Sequence, residues 1–476
     1  MRHPVRPTPA TEKGGLVKAL RALWAFRRAL AEFLMMPLLM LAAFTALGAV
    51  TVYLDLSTAA PLRRARTALD KLIPSEVAVD LLAQVAPAIV GVASLTFSVL
   101  LIAVQQNASL YTPVVFDEFL RRRSNQIHFG FFIGLSLYSF ILLASVRPGN
   151  HLAFGAVLLF LLTTVALVML MTLIYGTINQ MRPASVLSAT WKLTLRSRSR
   201  AGGLLAMLRE APLLPPDRAA PVLAPQDGYL VDVRFKRLRR VIGRTGSEVE
   251  VVFEHPVGTY LGAGDQVAHV RGEDAQVLPR LASQVAGCLV IDTNRDVRTD
   301  PGYAVEQIAG IAWTAYSSSQ NSPVIALAAM RVLTDLLERW ILGPPPERHG
   351  TVPVVYPDVI LAETIDRLTK IGRLTEESGN AAPCTEVFLA LAQIVPYVRT
   401  EYLPLLEDRV WRLLPIVAGL TTLSADIEDA ARLLARALSS RDRHRCAEQL
   451  DALIDAHQHH MHQRYGMPRP HEADPA

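Results

Sequence analysis

Four long apolar segments near the N-terminus of this 476-residue chain constrain its fold more than any other feature. They cover residues 33–54, 85–104, 127–146 and 152–175. At a rise of 1.5 Å per residue, about 20 residues cross a hydrocarbon core of roughly 30 Å. The chain is only 19% charged, below the roughly 25% that is typical of soluble domains. The sequence therefore predicts a bundle of four transmembrane helices.

Basic residues indicate how these helices are oriented. Arginine and lysine are concentrated in the N-terminal arm, in the loop between the second and third spans, and after the fourth span. Only Arg147 lies between the third and fourth spans, while the first loop carries both signs. Since loops rich in arginine and lysine stay inside, both termini are predicted to be cytoplasmic. Abundant arginine and alanine are typical of a bacterial genome, so we expect a multi-pass protein of the bacterial inner (cytoplasmic) membrane.

The loop between the second and third spans carries a further membrane signal. Thr112 can cap a short helix, and Pro113 suits its first turn. The apolar residues of this helix would share one side, and three basic residues end it: Arg121, Arg122 and Arg123. We expect an amphipathic helix on the cytoplasmic leaflet whose arginines contact anionic lipid, with a plain charged hairpin as the alternative.

Small and polar residues mark one face of the second and third spans. At helical spacing the second carries Gly91, Ser94, Ser98 and Gln105, and the third carries Gly130 and Gly134. Such a face either lines a polar pathway or lets helices pack closely. Ion and proton pathways usually contain charged side chains within the membrane, whereas these spans hold only His128, near a boundary. The pattern favours helix packing and leaves a pore as the alternative.

Behind the spans the composition changes from apolar to mixed, and several segments follow one another. We expect a basic N-terminal arm (1–32), a transmembrane domain (33–180), a basic and proline-rich linker (181–226), a small β module (227–272), a cytoplasmic helical domain (273–463) and a tail (464–476). The end of the β module resembles the hairpins of biotinyl and lipoyl barrel-sandwich domains. Its only lysine, Lys236, lies on a helical insert, so an adaptor is expected rather than a carrier. The fold class is mainly α, ending in a helical bundle or short solenoid with one short strand near 351–356.

Four motifs in a fixed order are similar to a known family. They are Thr96–Gln106 continuing to Arg123 and Phe131–Gly134, then Gly228-Tyr229, then Asp300–Ile308, and last Ser317–Pro323. Together they resemble the bacterial DUF2254 family of predicted membrane proteins, over roughly residues 30 to 340. In the last motif this chain has Ser318 where the family pattern has proline and Ser322 where it has aspartate. The resemblance implies the layout described above and no established activity.

The segment from Ser317 to Pro323 joins two predicted helices and is the best sequence candidate for a ligand site. Asn321 before a proline is well placed to cap the second helix. A helix N-terminus with nearby hydroxyl groups can also hold an anion, and Arg295 and Arg298 lie upstream. A capping loop is favoured. The alternative is a ligand-binding site that contains Arg295, Arg298, Ser317 and Asn321.

The sequence contains none of the common catalytic or cofactor motifs. The sequence lacks the GxxxxGK[ST], GxGxxG, GxSxG and HExxH patterns. The C-terminal histidines at 457, 459, 460 and 462 are interpreted as solvated, and the three cysteines as buried thiols. We therefore expect no enzyme activity, no cofactor, no metal site and no nucleic-acid partner. The predicted function is a membrane protein with a cytoplasmic domain that binds a ligand or partner, embedded in lipid and homo-oligomeric. The alternative is an oligomeric channel whose axial pore is lined by the second span.

Overall fold

The computed structural model describes residues 34–57, 59–70, 75–110, 123–146, 152–180, 182–246, 248–317, 323–344, 347–378, 380–420 and 425–465. The chain divides into two compact units. We call residues 1–109 with 113–182 the membrane unit, and residues 110–112 with 183–476 the C-terminal unit. The fold is mainly helical and contains a small amount of mixed β-structure.

Helices make up the described part of the membrane unit. They are α1 (Leu34–Leu56), α2 (Ala60–Asp70), α3 (Ser75–Leu110), α4 (Arg123–Ala144) and α5 (Ala153–Gln180). Among the described residues, three segments are long and apolar enough to cross a membrane: Leu34–Leu56, Arg123–Ala144 and Ala153–Gly176. These are the first, third and fourth predicted spans. In α3 a shorter apolar stretch, Leu82–Leu95, overlaps the second predicted span, which covers residues 85–104.

Two glycines allow α1 and α4 to approach each other closely. A Cβ atom on Gly130 would lie 2.9 Å from the Cβ of Met40, and one on Gly134 would overlap the ring of Phe44. The Phe44 ring packs edge-on against that of Tyr138 in the core of the unit. Since small residues let helix backbones come together in a membrane, both glycines lie at a tight helix–helix contact.

A buried carboxylate fixes the start of α5. Asp55, near the end of α1, accepts hydrogen bonds from the backbone N–H groups of Phe154 (3.0 Å) and Gly155 (2.9 Å). These N–H groups have no partner within the first turn of their helix, so the carboxylate satisfies them and complements the helix dipole. Arg66 of α2 stabilises the end of α1, because it donates a hydrogen bond to the carbonyl oxygen of Leu54.

The C-terminal unit begins with α6 (Pro183–Leu205), which is followed by two small sheets. Their strands are β1 (Leu208–Arg209), β2 (Ala219–Leu223), β3 (Gly228–Val233), β4 (Val249–Phe253), β5 (Tyr260–Leu261), β6 (Gln266–Gly272), β7 (Leu289–Asp292) and β8 (Val352–Val355). One sheet has the order β1-β8-β4-β6-β2, in which β8 runs parallel to both β1 and β4 and the remaining pairs are antiparallel. The other is antiparallel, with the order β5-β3-β7.

Two short helices complete the hydrophobic core of the sheets. Helix α7 (Phe235–Gly243) buries Leu238 and Ile242 and exposes its basic side chains. Helix α8 (Leu278–Ala286) buries Leu281 and Val285 and packs against β2 and β6. Apolar residues on one side of a helix or strand pack in the core because burial removes them from water.

Longer amphipathic helices form the rest of the unit. They are α9 (Pro301–Ser317), α10 (Pro323–Leu342), α11 (Ile360–Gly372), α12 (Leu374–Ser378), α13 (Ala382–Ile394), α14 (Leu403–Ala418), α15 (Ala425–Ser439) and α16 (His444–Tyr465). Helix α9 packs against α6, α10 and α11, and α13 packs against α15, which packs against α16. In this way α6 becomes part of the C-terminal unit although it lies in the predicted linker.

The β-structure extends beyond residues 227–272. Strands β2 and β7 lie on either side of that range in sequence, and β8 joins from within the segment 351–356, for which a strand is predicted. Strand β8 pairs with β4 about 100 residues earlier in the chain, Val354 lying opposite Val251. Periodicity along the sequence describes single strands and gives no information on such distant pairings.

Candidate functional site

The candidate site is built around the start of α9. Asp300 precedes Pro301, and its Oδ1 accepts a hydrogen bond from the N–H of Tyr303 at 2.9 Å. Aspartate is a preferred N-cap residue, and proline suits the first helical position because its missing N–H would have no partner there. The Asp-Pro-Gly-Tyr sequence therefore determines where α9 begins and holds Asp300 in a buried position.

Arg295 connects Asp300 to its surroundings. Its Nε donates to Asp300 Oδ2 at 2.7 Å, and its Nη1 donates to Glu306 Oε2 at 2.8 Å. The guanidinium centre also lies 4.7 Å from the ring centroid of Tyr303 and 5.9 Å from that of Tyr229. Ion pairs and aromatic faces together hold a planar guanidinium in one orientation. Arg295 thus links strand β3 to the first turns of α9.

Glycine is required at two positions near this arginine. Gly258 adopts a φ of +99°, and a Cβ atom there would lie 2.6 Å from Arg295 Nη2 and 2.7 Å from Asp300 Oδ2. A Cβ atom on Gly302 would overlap the carboxylate of Glu363, which enters from α11. Because these contacts leave no room for a side chain, the two glycines bring backbone and charged groups together.

Near these groups, the carboxylate of Glu363 has no ion-pair partner among the described residues. It is half-buried, and its side chain makes no hydrogen bond or ion pair with any residue that the structure describes. Burial raises the pKa of Glu363, and the neighbouring charge of Asp300 raises it further, while Arg295 and Arg367 oppose both effects. The geometry therefore presents a carboxylate that is partly removed from water and lacks a direct counterion.

A second ion pair contributes to the site. Arg198 of α6 and Asp358 are joined by two hydrogen bonds, of 2.6 and 2.7 Å. Close to them, the hydroxyl of Tyr356 accepts a hydrogen bond from the N–H of Val257. Burial raises the pKa of Tyr356, so its hydroxyl stays protonated. These contacts connect α6 and the segment after β8 through fixed polar pairs.

Between these groups lies a cavity of about 210 Å³. Its wall includes the charged residues Arg198, Asp300, Asp358 and Glu363, with Asp232, Arg200 and Arg298 also contributing. Much of the wall is apolar, and its larger side chains include Leu204, Leu205, Leu208, Phe235, Val257 and Ile360. Concave, largely apolar sites with a few polar groups are the usual form of small-molecule sites. All of these residues belong to the C-terminal unit.

Ser197 adds a polar group to the same wall. Only 2% of this residue is exposed, and its Oγ has no hydrogen-bond partner among the described residues. An unpaired buried hydroxyl costs on the order of 1–3 kcal/mol. Ser197 and Glu363 are thus two polar groups in the cavity wall whose hydrogen-bonding capacity the described residues do not satisfy.

Comparison with known proteins gives the chain its family. The profile of a family described as predicted membrane protein, DUF2254, matches residues 31–377. This range covers most of the chain and the whole of the cavity wall. The chain belongs to the DUF2254 family. The expected resemblance is thereby confirmed, and the match extends past the predicted limit near residue 340. No curated protein and no solved structure matches this DUF2254 protein.

The structure brings together only part of the ligand site predicted for this DUF2254 chain. Arg295 lies beside the cavity in its ion pairs, and Arg298 lies in the wall, where it pairs with Asp296 at 3.1 Å. Ser317 donates to the carbonyl of Trp313 at the far end of α9, roughly 24 Å from Pro301 at 1.5 Å per residue. Asn321 lies outside the described residues.

The other predicted positions belong to the membrane unit. Gly91, Ser94 and Ser98 are exposed on α3, and the Ser98 hydroxyl donates to the carbonyl of Ser94 at 3.0 Å. The side chain of Gln105 lies outside the described residues. The same holds for Arg121 and Arg122, while Arg123 is the exposed first residue of α4.

Several cavity residues were not singled out from the sequence. Glu363 and Asp358 lie in ordinary-looking helical sequence, and Ser197 and Arg198 lie in the predicted linker. The sequence signals that pointed to this region of the DUF2254 chain were the Asp300-Pro-Gly-Tyr motif and the upstream Arg295 and Arg298. A carboxylate that meets the motif from α11 could not be identified, because that contact depends on how two distant helices pack.

Proposed function

We propose that this DUF2254 protein is a non-enzymatic membrane protein that binds a small molecule in the cavity of its C-terminal unit. The observation that carries the proposal is the cavity itself, an apolar pocket of about 210 Å³ with Glu363 and Ser197 left without partners. Pockets of this composition bury most of a ligand and orient it with a few polar contacts. The ligand would be held by the same residues that join α6, α9 and α11.

The other polar groups of the site are paired with one another, which supports ligand binding rather than catalysis. Arg198 and Asp358 neutralise each other, as do Arg295 and Asp300. The Tyr356 hydroxyl is occupied by Val257, and burial raises its pKa, so it is a poor nucleophile at neutral pH. Groups locked in such pairs form a fixed frame, which favours recognition of a ligand over proton transfer.

The membrane arrangement that we propose has four helices, with α3 as the second span. Both termini then lie in the cytoplasm of a bacterium, and the cavity faces the cytoplasm. Helix α3 has 36 residues, about 54 Å of helix and long enough to cross a bilayer. Reporter fusions on either side of α3, in the α2–α3 and α3–α4 loops, and at the C-terminus test this topology. A periplasmic signal before α3 with cytoplasmic signals after it and at the C-terminus supports four spans, whereas signals from the same side before and after α3 would mean that α3 does not cross.

Ligand binding is tested on the full chain in nanodiscs. The protein is dialysed against a bacterial metabolite extract, and retained compounds are identified by mass spectrometry. The matched variants are Ala201→Trp, which fills the cavity, and Ser199→Trp, which places the same side chain on an exposed position of α6. We expect at least one compound to be enriched by the wild type and by Ser199→Trp but lost in Ala201→Trp. Equal enrichment by all three proteins, or none, contradicts the proposal.

A channel is the second candidate, and the surface of α3 favours it. Gly91, Ser94 and Ser98 are exposed in the single chain, so this face is available to another copy. A pore formed by one helix per subunit would lie on the symmetry axis of a ring. Native mass spectrometry of the protein in nanodiscs measures the number of subunits and so tests this candidate. A ring of three or more subunits supports the channel and justifies conductance recordings, whereas a monomer or dimer removes the axial pore.

A further inference from the structure

The charges of the cavity wall restrict what it can hold. Arg198 is neutralised by Asp358, with Nη1 2.6 Å from Oδ1. Asp300 is neutralised by Arg295 at 2.7 Å, and Arg298 pairs with Asp296, as described above. What remains inside is the carboxylate of Glu363, with no ion pair among the described residues. Arg200 and Asp232, also in the wall, are both exposed to solvent and opposite in sign.

The position of Glu363 makes an anionic ligand unfavourable. Its carboxylate lies against Gly302 and close to Asp300, whose charge still raises the pKa of Glu363 although Asp300 pairs with Arg295, so an added anion would be repelled. A positively charged group would instead relieve the repulsion between the two carboxylates and supply the missing counterion. Partly buried charges interact strongly because the surrounding protein screens them less than water does.

A metal ion fits this site less well than an organic cation. No group of three or more histidine, cysteine, aspartate or glutamate side chains is placed to hold a metal ion anywhere in the described residues. Asp300 is already bound to Arg295, and the neighbouring wall is made of aliphatic and aromatic side chains. Hard cations require several oxygen ligands, whereas an ammonium group on an apolar body needs one carboxylate and an apolar surface.

We propose that the ligand of this cavity is an organic amine, whose ammonium group pairs with Glu363 and whose short apolar body packs against Leu204, Leu205 and Phe235. This inference rests on the proposed function and specifies its ligand class. The cavity volume of about 210 Å³ limits the ligand to a small molecule.

The test compares amines with their uncharged and anionic analogues on the full chain in nanodiscs. We use 2-phenylethylamine and n-hexylamine, the matched alcohols 2-phenylethanol and n-hexanol, and the matched acids, with affinity measured by calorimetry. Glu363→Gln keeps the shape of the side chain and removes its charge. Glu377→Gln makes the same change on the exposed surface of α12. We expect the amines to bind the wild type and Glu377→Gln roughly tenfold or more tightly than Glu363→Gln, since a charge-assisted hydrogen bond contributes about that much.

The outcomes separate this inference from the proposed function. If alcohols or acids bind as tightly as amines, or if Glu363→Gln binds amines as well as the wild type, the amine assignment is wrong. If no amine binds but the metabolite extract yields a compound that Ala201→Trp loses, the cavity binds a ligand of another class. If neither experiment detects binding, both proposals fail. Thermal unfolding of Glu363→Gln shows separately that the variant is folded.

Discussion

Replacing Glu250 with glutamine is expected to loosen the sheet edge that supports the cavity. Glu250 lies on β4, is completely buried, and accepts hydrogen bonds from the N–H groups of Leu213 and Leu214, each at 3.0 Å. It also pairs with Arg209 at 3.2 Å. Arg209 belongs to β1, whose other residue, Leu208, is part of the cavity wall. The Glu250 carboxylate thus holds Arg209, Leu213 and Leu214, which follow α6, against strand β4 of the five-stranded sheet.

The size of the effect follows from these contacts. Glutamine keeps one oxygen, so one backbone N–H retains its acceptor while the other faces an NH₂ group, at a cost of about 1–3 kcal/mol. The charge that pairs with Arg209 is lost as well, and breaking a buried ion pair costs roughly 3–5 kcal/mol in severe cases. Arg209 is partly exposed, so we expect a total near 3 kcal/mol. At ~2–4 °C per kcal/mol, the thermal midpoint of the C-terminal unit should fall by roughly 6–12 °C.

Thermal unfolding followed by tryptophan fluorescence in nanodiscs measures this loss, and hydrogen exchange locates it. Glu248→Gln is the matched control, because Glu248 lies two residues away and is exposed. We expect faster exchange over residues 208–215 in Glu250→Gln alone, and a midpoint for Glu248→Gln that is close to the wild type. Equal midpoints for the two variants would refute the reasoning, since the buried contacts would then contribute nothing to stability.

Three further predictions concern other parts of the chain. Gly134→Leu should destabilise the membrane unit, because its side chain would overlap Phe44, whereas Gly91→Leu should not, because a Cβ atom there meets no heavy atom within 4 Å; resistance to unfolding by SDS reports the difference. Glu363→Gln should be at least as stable as the wild type at neutral pH. Burial raises the pKa of Glu363 in the folded state, so its ionised form destabilises the fold above that pKa, and the difference should vanish as the pH falls through it. The thiols of the folded chain should resist a disulfide reagent at neutral pH, because burial raises their pKa, to about 11 for Cys384 and about 12 for Cys446, and Cys288 shifts in the same direction.

Each of these predictions has a clear opposite result. Equal SDS resistance of the two glycine variants would mean that α1 and α4 do not pack closely at Gly134. A wild-type midpoint above that of Glu363→Gln at neutral pH would mean that the carboxylate has a stabilising partner. Rapid reaction of any thiol before unfolding would contradict the burial of that cysteine, and the same reagent in denaturant provides the control for complete reaction.

The membrane unit was largely predictable because its signal is local. About 20 apolar residues in a row specify a spanning helix without any knowledge of its neighbours, and three of the predicted segments are candidate membrane helices in the structure. The small-residue pair Gly130 and Gly134 likewise indicated a close contact from spacing alone. What the sequence did not reveal was the partner of that contact, α1, because spacing identifies a face and not what packs against it.

The candidate site was less predictable because it is assembled from distant segments. Arg295 stands out in the sequence as a basic residue upstream of the Ser317–Pro323 segment, and the Asp300 motif stands out by its resemblance to the DUF2254 family. Glu363 comes from α11 and Arg198 from α6, in stretches whose composition suggests only a solvated helix and a linker. The position of Glu363 depends on Gly302, since a larger residue there would exclude the carboxylate from the start of α9. Gly302 is therefore the residue that allows the unpaired carboxylate of Glu363 to lie in the cavity wall, and a ligand that neutralises this charge would act on the packing of α9 against α11.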